Sequence, residues 1–306
     1  MAETVPKIHT LDLRFQGCPG IIAAFLVEGP DGLVLIETGP ESTRERLLEA
    51  IREAGFDPGT DLSAIFVTHI HLDHAGAAGW FAERGIPVHV HFRGVKHLVD
   101  PSRLIESARA VYEDRFDSLW GDMTPAPAEH VISLEDRAET NVAGLTIRAL
   151  DTPGHAFHHH AFAIGDLLFA GDAAGAKTTR TKYVSVTSAP PQFDLPCFLE
   201  SLSRLESENF SRVFLTHFGE PVESPESHFE AFRKELRDAV LFVQDRLDEN
   251  ADETTVQIAY TAFQMERAFQ AGVSPEEWRA VQQINGTEMC ADGIRIFLEK
   301  QADSGK

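Results

Sequence analysis

The chain has 306 residues, 43% of them hydrophobic and 25% charged, and a formal net charge of −21 at pH 7. A chain of this length buries a sizeable core without disulfide bonds, and so acidic a surface disfavours binding to nucleic acid or to anionic membranes. No apolar run approaches the ~20 residues that a membrane span requires, and three distant cysteines without a CxxC pair favour a reducing, cytoplasmic location.

Strands and helices alternate in the N-terminal half of the sequence. Short apolar runs rich in β-branched and aromatic residues predict strands at Ile8–Phe15, Ile21–Val27, Leu33–Ile36, Ala64–Val67 and Ile86–Phe92. Apolar residues at helical spacing predict helices at 42–54, 75–83 and 101–120. Ser42 and Glu45 have the spacing of a capping box, which predicts the start of the first helix.

A histidine-rich loop, THIHLDHAG, follows the predicted strand Ala64–Val67. Histidine nitrogen and carboxylate oxygen bind zinc and similar metals, and the loop contains four such donors: His69, His71, Asp73 and His74. Because the loop begins where a buried strand ends, a rigid element holds these donors in place. The pattern therefore predicts a metal site.

Three further donors follow predicted strands in the second half of the chain. Strands are predicted at Val131–Leu134, Leu145–Leu150, Ala161–Ile164, Leu167–Ala170 and Val213–Leu215, with a helix at Leu195–Glu206. His155, Asp172 and His217 each come after one of these strands and close to a glycine, which lets the backbone turn tightly towards a ligand. Two β-rich parts with interspersed helices predict two sheets packed face to face, with helices outside.

The motifs THIHLDHAG, TPGH, FAGDAAG and LTHFG, in this order, resemble those of the metallo-β-lactamase-fold hydrolase superfamily. The resemblance covers roughly Ile8 to Gly219 and implies an α/β fold, an αββα four-layer sandwich with a two-metal site at one edge of the sheets. Carried over by position, it implies one metal bound by His69, His71 and His155, another bound by Asp73, His74 and His217, and a bridging Asp172. We expect two divalent ions, zinc first, with manganese or iron as alternatives, because this donor set serves all three.

The resemblance also implies the chemistry of a binuclear metallo-hydrolase. Two cations about 3.5–4 Å apart hold one hydroxide between them and act as Lewis acids on a carbonyl or phosphoryl oxygen. Asp73 would also orient the attacking water or accept its proton, so that no serine or cysteine nucleophile is needed. The expected substrate is a small ester, thioester, lactone or phosphodiester.

Two other functions stay open at the level of the sequence. The motifs are most similar to those of glyoxalase II and of the persulfide dioxygenases. The dioxygenases use a single non-heme iron, and a persulfide dioxygenase is therefore the alternative prediction. A metal-binding protein without catalytic activity is the third. The segments Pro190–Asp194 and NGTEMCADG, which starts at Asn285, resemble uncharacterised bacterial members of the superfamily.

Four residues are predicted to contact the substrate. Lys177, Arg180 and Tyr183 lie in the segment AKTTRTKYVSV after the bridging aspartate, where cationic side chains near a metal site suit an anionic group. A solvated loop that balances the local negative charge is an equal alternative. Phe193, beside a Pro-Pro turn, is the fourth residue.

Residues 221–306 are predicted to be a helical extension of a catalytic domain at 1–220. Apolar stripes at helical spacing run through this part, and Ser224 and Ser274, each followed by proline, predict two helix starts. We expect the extension to pack on the core and to cover part of the substrate site, with a homodimer through these helices as the alternative.

Overall fold

The computed structural model describes residues 6–177 and 181–304. The chain divides into two compact units: the first runs to Asp151 and includes His158–Phe169, and the second contains Thr152–Phe157 and continues from Ala170. The predicted domains, 1–220 and 221–306, divide the chain elsewhere and stay a prediction. Among the described residues, no helix is both long and apolar enough to cross a membrane.

A six-stranded sheet forms one layer of the first unit. Its strands follow chain order: β1 Lys7–Asp12, β2 Ala23–Gly29, β3 Gly32–Ile36, β4 Leu62–Phe66, β5 Val88–His91 and β6 Val131–Leu134. The first three strands are antiparallel and β3 to β6 run parallel. The carboxyl ends of these four parallel strands therefore lie at the same edge of the sheet.

A second, antiparallel sheet forms the other layer of this unit. It contains β7 Glu139–Val142, β8 Leu145–Asp151, β9 His160–Ile164 and β10 Leu167–Phe169. Aromatic rings join the two layers, with 5.4 Å between the ring centroids of Phe25 and Phe169 and 5.2 Å between those of Phe66 and Phe162. Because all four rings are buried, they form the centre of the predicted sandwich core, and the α/β sandwich is confirmed.

The helices of the first unit are shorter than the sequence predicts. They are α1 Arg44–Glu53, α2 Leu72–Ala75, α3 Ala78–Ala82, α4 Val95–Val99, α5 Ser102–Tyr112 and α6 Phe116–Leu119. The capping box predicted at Ser42 is absent, because the Ser42 hydroxyl donates instead to the carbonyl of Leu119. The helix predicted at 101–120 breaks at Glu113, whose φ of 47° is left-handed.

The second unit is mainly helical. Its elements from residue 176 onward are β11 Ala176–Lys177, β12 Val184–Ser185, α7 Leu195–Ser207, β13 Arg212–Phe214, α8 Pro225–Asp248, α9 Glu253–Gln270, α10 Pro275–Val281 and α11 Thr287–Ser304. Ser224 and Ser274 are the N-caps of α8 and α10, as predicted, and each accepts a backbone N–H in the first turn. The predicted C-terminal helical region is thereby confirmed.

Candidate metal centre

The first unit presents four of the predicted ligands within six residues after β4, in the connection to α2 and in that helix. His69 follows the strand, His71 is the N-cap of α2, and Asp73 and His74 lie within that helix. His69 and His74 are fully buried, whereas Asp73 keeps 15% of its side chain exposed. Helix α2 begins at Leu72, earlier than the helix predicted at 75–83, and it contains two of the four ligands, Asp73 and His74.

Glu37, at the end of the neighbouring strand β3, orients two of these imidazoles. Its carboxylate accepts from the hydroxyl of Thr68 at 2.5 Å and from Nδ1 of His74 at 3.0 Å. Because the Thr68 hydroxyl donates to Glu37, it accepts from Nδ1 of His69 at 3.0 Å. Both histidines therefore carry their proton on Nδ1 and turn an Nε2 lone pair away from Glu37, which is the arrangement of metal-binding histidines.

The backbone at Glu37 is strained to achieve this contact. Its φ of 66° is left-handed, a conformation that costs about 1–3 kcal/mol for a residue other than glycine. The next residue, Thr38, donates both its N–H and its hydroxyl to the carbonyl of His74, at 2.9 and 3.0 Å. Strand β3 thus holds His74 at its ring and at its backbone.

Two further histidines lie beside His69 and His71. The ring centroid of His159 is 4.9 Å from that of His69, and the ring of His158 is 5.4 Å from that of His71. Both side chains are buried. A backbone hydrogen bond holds the adjoining chain there, because the N–H of His160, at the start of β9, donates to the carbonyl of Thr68 at 2.8 Å.

The second unit presents the other three predicted ligands in separate turns. Gly154, with a φ of 134°, brings the chain against α7 so closely that a Cβ atom would lie 2.4 Å from the Cα of Phe198; glycine is therefore required beside His155. Asp172 lies in the turn after Phe169. His217 lies in a loop closed by two backbone hydrogen bonds between Leu215 and Gly219.

Within each unit, neighbouring donor atoms have the spacing of ligands on one ion. A tetrahedral zinc ion with Zn–N bonds of about 2.0–2.1 Å has ligand atoms about 3.3 Å apart. Nε2 of His69 and Nδ1 of His71 are 2.9 Å apart. The Nε2 atoms of His155 and His217 each lie 3.4 Å from an oxygen of Asp172.

These distances hold for two of the predicted ligands in the first unit and for all three in the second. The donor types are nitrogen and carboxylate oxygen, which suit zinc, manganese and iron. Donor chemistry, spacing and the fixed imidazole tautomers all fit a metal centre.

A further group of three possible metal ligands lies in the first unit and consists of His91, Asp151 and His160, with their ligand atoms within 4.8 Å of one another. The N–H of Arg93 donates to Nδ1 of His91 at 3.0 Å, so this atom carries a lone pair. The proton of the neutral ring is consequently on Nε2, which donates to Asp151 at 3.1 Å. We assign this contact as a histidine–aspartate hydrogen bond between strand ends.

The predicted substrate contacts have structural partners in the second unit. Lys177 is buried and its ammonium group pairs with Glu223. The hydroxyl of Tyr183 donates to Gln264 at 2.8 Å. Phe193 is buried, with its ring 5.6 Å from that of Phe297 on α11. Arg180 lies outside the described residues.

These contacts do not test substrate binding, which stays a prediction for all four residues. They do show that the side chains of Lys177, Tyr183 and Phe193 take part in the packing of the second unit.

Sequence reasoning misses the residues that orient the ligands. It singles out neither Glu37, which follows β3, nor Thr187, whose carbonyl accepts from Nδ1 of His155 at 2.8 Å. An acidic residue directly after a buried strand is a usable signal for Glu37. No sequence signal marks a backbone carbonyl such as that of Thr187, because any residue supplies one.

The sequence and the fold both have known relatives. A model of the metallo-beta-lactamase superfamily matches residues 19–217. The metallo-beta-lactamase fold-containing protein ST1585 of Sulfurisphaera tokodaii is 29% identical over 203 residues, which are 64% of this chain and 72% of that protein. The probable metallo-hydrolase YqgX of Bacillus subtilis is 29% identical over 153 residues, which are 49% of this chain and 64% of that protein.

A solved structure shows the same fold. The crystal structure of the metallo-beta-lactamase family protein TTHA1429 from Thermus thermophilus superposes with a TM-score of 0.68 at 21% identity, over 96% of this chain and 94% of that one. At this level of identity the similarity concerns the fold alone.

Proposed function

The chain belongs to the metallo-beta-lactamase superfamily, and on this premise we propose that it is a hydrolase whose catalytic centre binds two divalent metal ions. The observation that supports the proposal most strongly is the metal-binding spacing of histidine and aspartate donor atoms within each unit. A hydrolase that uses metal-activated water needs no serine or cysteine nucleophile.

The proposed centre assigns each ligand to an ion. His69, His71 and His155 would hold one ion and Asp73, His74 and His217 the other, and Asp172 would be a ligand that both share. The two carboxylate oxygens of Asp172 lie 3.4 Å from Nε2 of His155 and from Nε2 of His217, so this carboxylate has one donor atom beside each histidine. Its negative charge would offset the repulsion between two cations.

When bound, the two ions supply Lewis acidity and lower the pKa of a water molecule. The residues of the chain do the rest. Asp73, the ligand with a partly exposed carboxylate, orients the attacking water and accepts its proton. Glu37 and Thr68 keep the protons of His74 and His69 on Nδ1, so that both Nε2 atoms stay available as ligands.

The proposed substrate is a small ester, thioester, lactone or phosphodiester. Because the protein has a net charge of −21, nucleic acid and anionic membranes are not proposed as partners. All three cysteines lie among the described residues and none forms a disulfide bond, which agrees with a proposed cytoplasmic location.

The metal content of protein purified without added metal tests the proposal. We expect about two zinc, manganese or iron ions per chain, and hydrolysis in a panel of thioester, ester, lactone and phosphodiester substrates. Removal of the metal with a chelator should abolish hydrolysis, and added zinc should restore it.

Other results would contradict the proposal in different ways. One iron per chain with oxygen uptake on a persulfide would identify a dioxygenase instead. Full metal content without turnover of any substrate in the panel would identify a metal-binding protein.

A further inference from the structure

The C-terminal motif NGTEMCADG packs against a buried segment of the second unit. We call residues 185–189 the strap, and Asn285, Cys290 and Gly293 the anchor. The side-chain amide of Asn285 donates to the hydroxyl of Ser185 at 2.8 Å and to the carbonyl of Val186 at 3.0 Å. Asn285 is buried, so both hydrogen bonds are shielded from water.

Helix α11 makes further contacts with the strap. The hydroxyl of Ser188 donates to the carbonyl of Cys290 at 2.9 Å, and Sγ of Cys290 is 3.3 Å from the carbonyl of Val186. Burial raises the pKa of this thiol to about 11, so it keeps its proton and can donate. At Gly293, a Cβ atom would lie 1.6 Å from the carbonyl oxygen of Ser188, which leaves no room for a larger residue.

The strap in turn contacts two of the proposed metal ligands. The carbonyl of Thr187 accepts from Nδ1 of His155 at 2.8 Å, and its hydroxyl donates to the backbone carbonyl of Asp172 at 2.9 Å. Thr187 therefore fixes the imidazole tautomer of one ligand and the backbone position of another. The next residues on either side of it, Val186 and Ser188, are those held by the anchor.

We propose that Asn285, Cys290 and Gly293 are positioning residues of the metal centre, which act through the strap on His155 and Asp172. The inference rests on the proposed function, because it takes these two residues to be ligands. It assigns to the C-terminal helices a share in metal binding in addition to packing. Residues that orient metal ligands typically change metal affinity by about 10–100-fold when replaced.

The test compares Asn285→Ala with two control variants. Val256→Ala truncates a buried aliphatic side chain on α9, and Glu299→Ala removes an exposed partner of Arg295 on α11. For each variant we would measure zinc affinity by competition with a chelator, and the Nδ1–H resonance of His155 in metal-free protein labelled with ¹⁵N-histidine. Circular dichroism and thermal unfolding would establish that each variant is folded.

We expect Asn285→Ala to bind at least one zinc ion about 10–100-fold more weakly and to shift or broaden the His155 resonance. Both controls should bind zinc within about two-fold of the unaltered protein, even if Val256→Ala unfolds at a lower temperature. If Asn285→Ala fails to fold, Cys290→Ala takes its place and should lower the zinc affinity in the same way. Cys290→Ser keeps a hydrogen-bond donor and should restore most of the zinc affinity.

If Asn285→Ala had the same zinc affinity and the same His155 resonance as Val256→Ala, the inference would be overturned and the proposed function would stay intact. Conversely, normal zinc binding by the unaltered protein without any hydrolysis would overturn the proposed function, and the variant affinities would still decide the role of the anchor. Absence of zinc, manganese and iron binding by the unaltered protein would overturn both.

Discussion

The two units hold their metal-ligand candidates in different ways. In the first unit four donors lie within six residues, and the side chains of Glu37 and Thr68, after adjacent parallel strands, orient two of the imidazoles. In the second unit three donors lie in separate turns, and Thr187, in a strap held by the C-terminal anchor, contacts two of them, His155 and Asp172.

The two ligand sets differ in how far away in the sequence the residues that orient them lie. Parallel pairing between β3 and β4, which is uninterrupted from Val34 to Ile36, brings Glu37 next to Thr68. The orientation of His155 and Asp172, by contrast, depends on Thr187 and through it on Asn285, which lies about 100 residues away. We therefore expect substitutions to affect the two ligand sets through different parts of the molecule.

The largest effect is expected for Asp172→Ala. Loss of the proposed bridging carboxylate removes a ligand from both ions and should lower kcat/KM by at least about 1,000-fold, or about 4 kcal/mol, with loss of at least one metal ion per chain. Elemental analysis and a hydrolysis assay measure both quantities. Asp166→Ala, in an exposed turn, is the control, and unchanged metal content in Asp172→Ala would refute the bridging role.

Lys177→Met distinguishes packing from substrate binding in the second unit. Burial by itself raises the pKa of Glu223, but hydrogen bonds from His228 and Lys177 outweigh it and lower that pKa to about 2. Removal of the buried ammonium should therefore destabilise the fold by about 3 kcal/mol in urea unfolding at pH 7, without a change in KM.

The pH dependence provides a control for this prediction. Because the pKa of Glu223 is lowered in the folded state, its stabilising contribution is present above about pH 4.5 and is lost as the pH falls towards 2. The penalty of Lys177→Met should shrink over that range. A raised KM with unchanged stability would instead support Lys177 as a substrate contact.

Glu37→Gln tests the orientation of ligands in the first unit. The amide keeps the size of the side chain, but its NH₂ group replaces the oxygen that accepts from the Thr68 N–H at 3.3 Å, and the oxygen that accepts from the Thr68 hydroxyl and from His74 loses its negative charge. We expect zinc affinity to fall by about 10–100-fold with the fold retained. Glu53→Gln, on the exposed side of α1, should bind zinc normally, and an equal affinity of the two variants would rule out this role of Glu37.

The smallest effect is expected at His89 in β5. Its ring stacks on Phe66 with 4.3 Å between centroids, and burial lowers its pKa from 6.5 to about 4. The unfolded chain therefore takes up a proton below pH 6.5 that the folded chain does not, so stability falls as the pH decreases from 6.5 towards 4.

Replacement by leucine should remove this dependence. Between pH 7 and pH 5, His89→Leu is expected to lose about 1–2 kcal/mol less unfolding free energy than the unaltered protein, as measured by urea unfolding at both pH values. A parallel loss in the two proteins would show that His89 does not contribute to the acid sensitivity.

Much of the fold was predictable from local sequence patterns. The apolar strand runs, the N-caps Ser224 and Ser274 and the helical C-terminal region agree with the structure. The predictions that were wrong depended on a local rule overridden by a distant partner. Ser42, for example, has the spacing of an N-cap, but its hydroxyl donates to Leu119, 77 residues away.

The sequence by itself determined the donors and their order, because metal ligands must be histidine, aspartate or similar residues, and glycine must stand where the backbone turns sharply beside them. Only the tertiary structure decided how the donors are oriented. The carbonyl of Thr187 has no sequence signature, and the pairing of Lys177 with Glu223 depends on segments far apart in the chain. Ligand chemistry is a property of residue type, whereas orientation is a property of the neighbours that folding brings together.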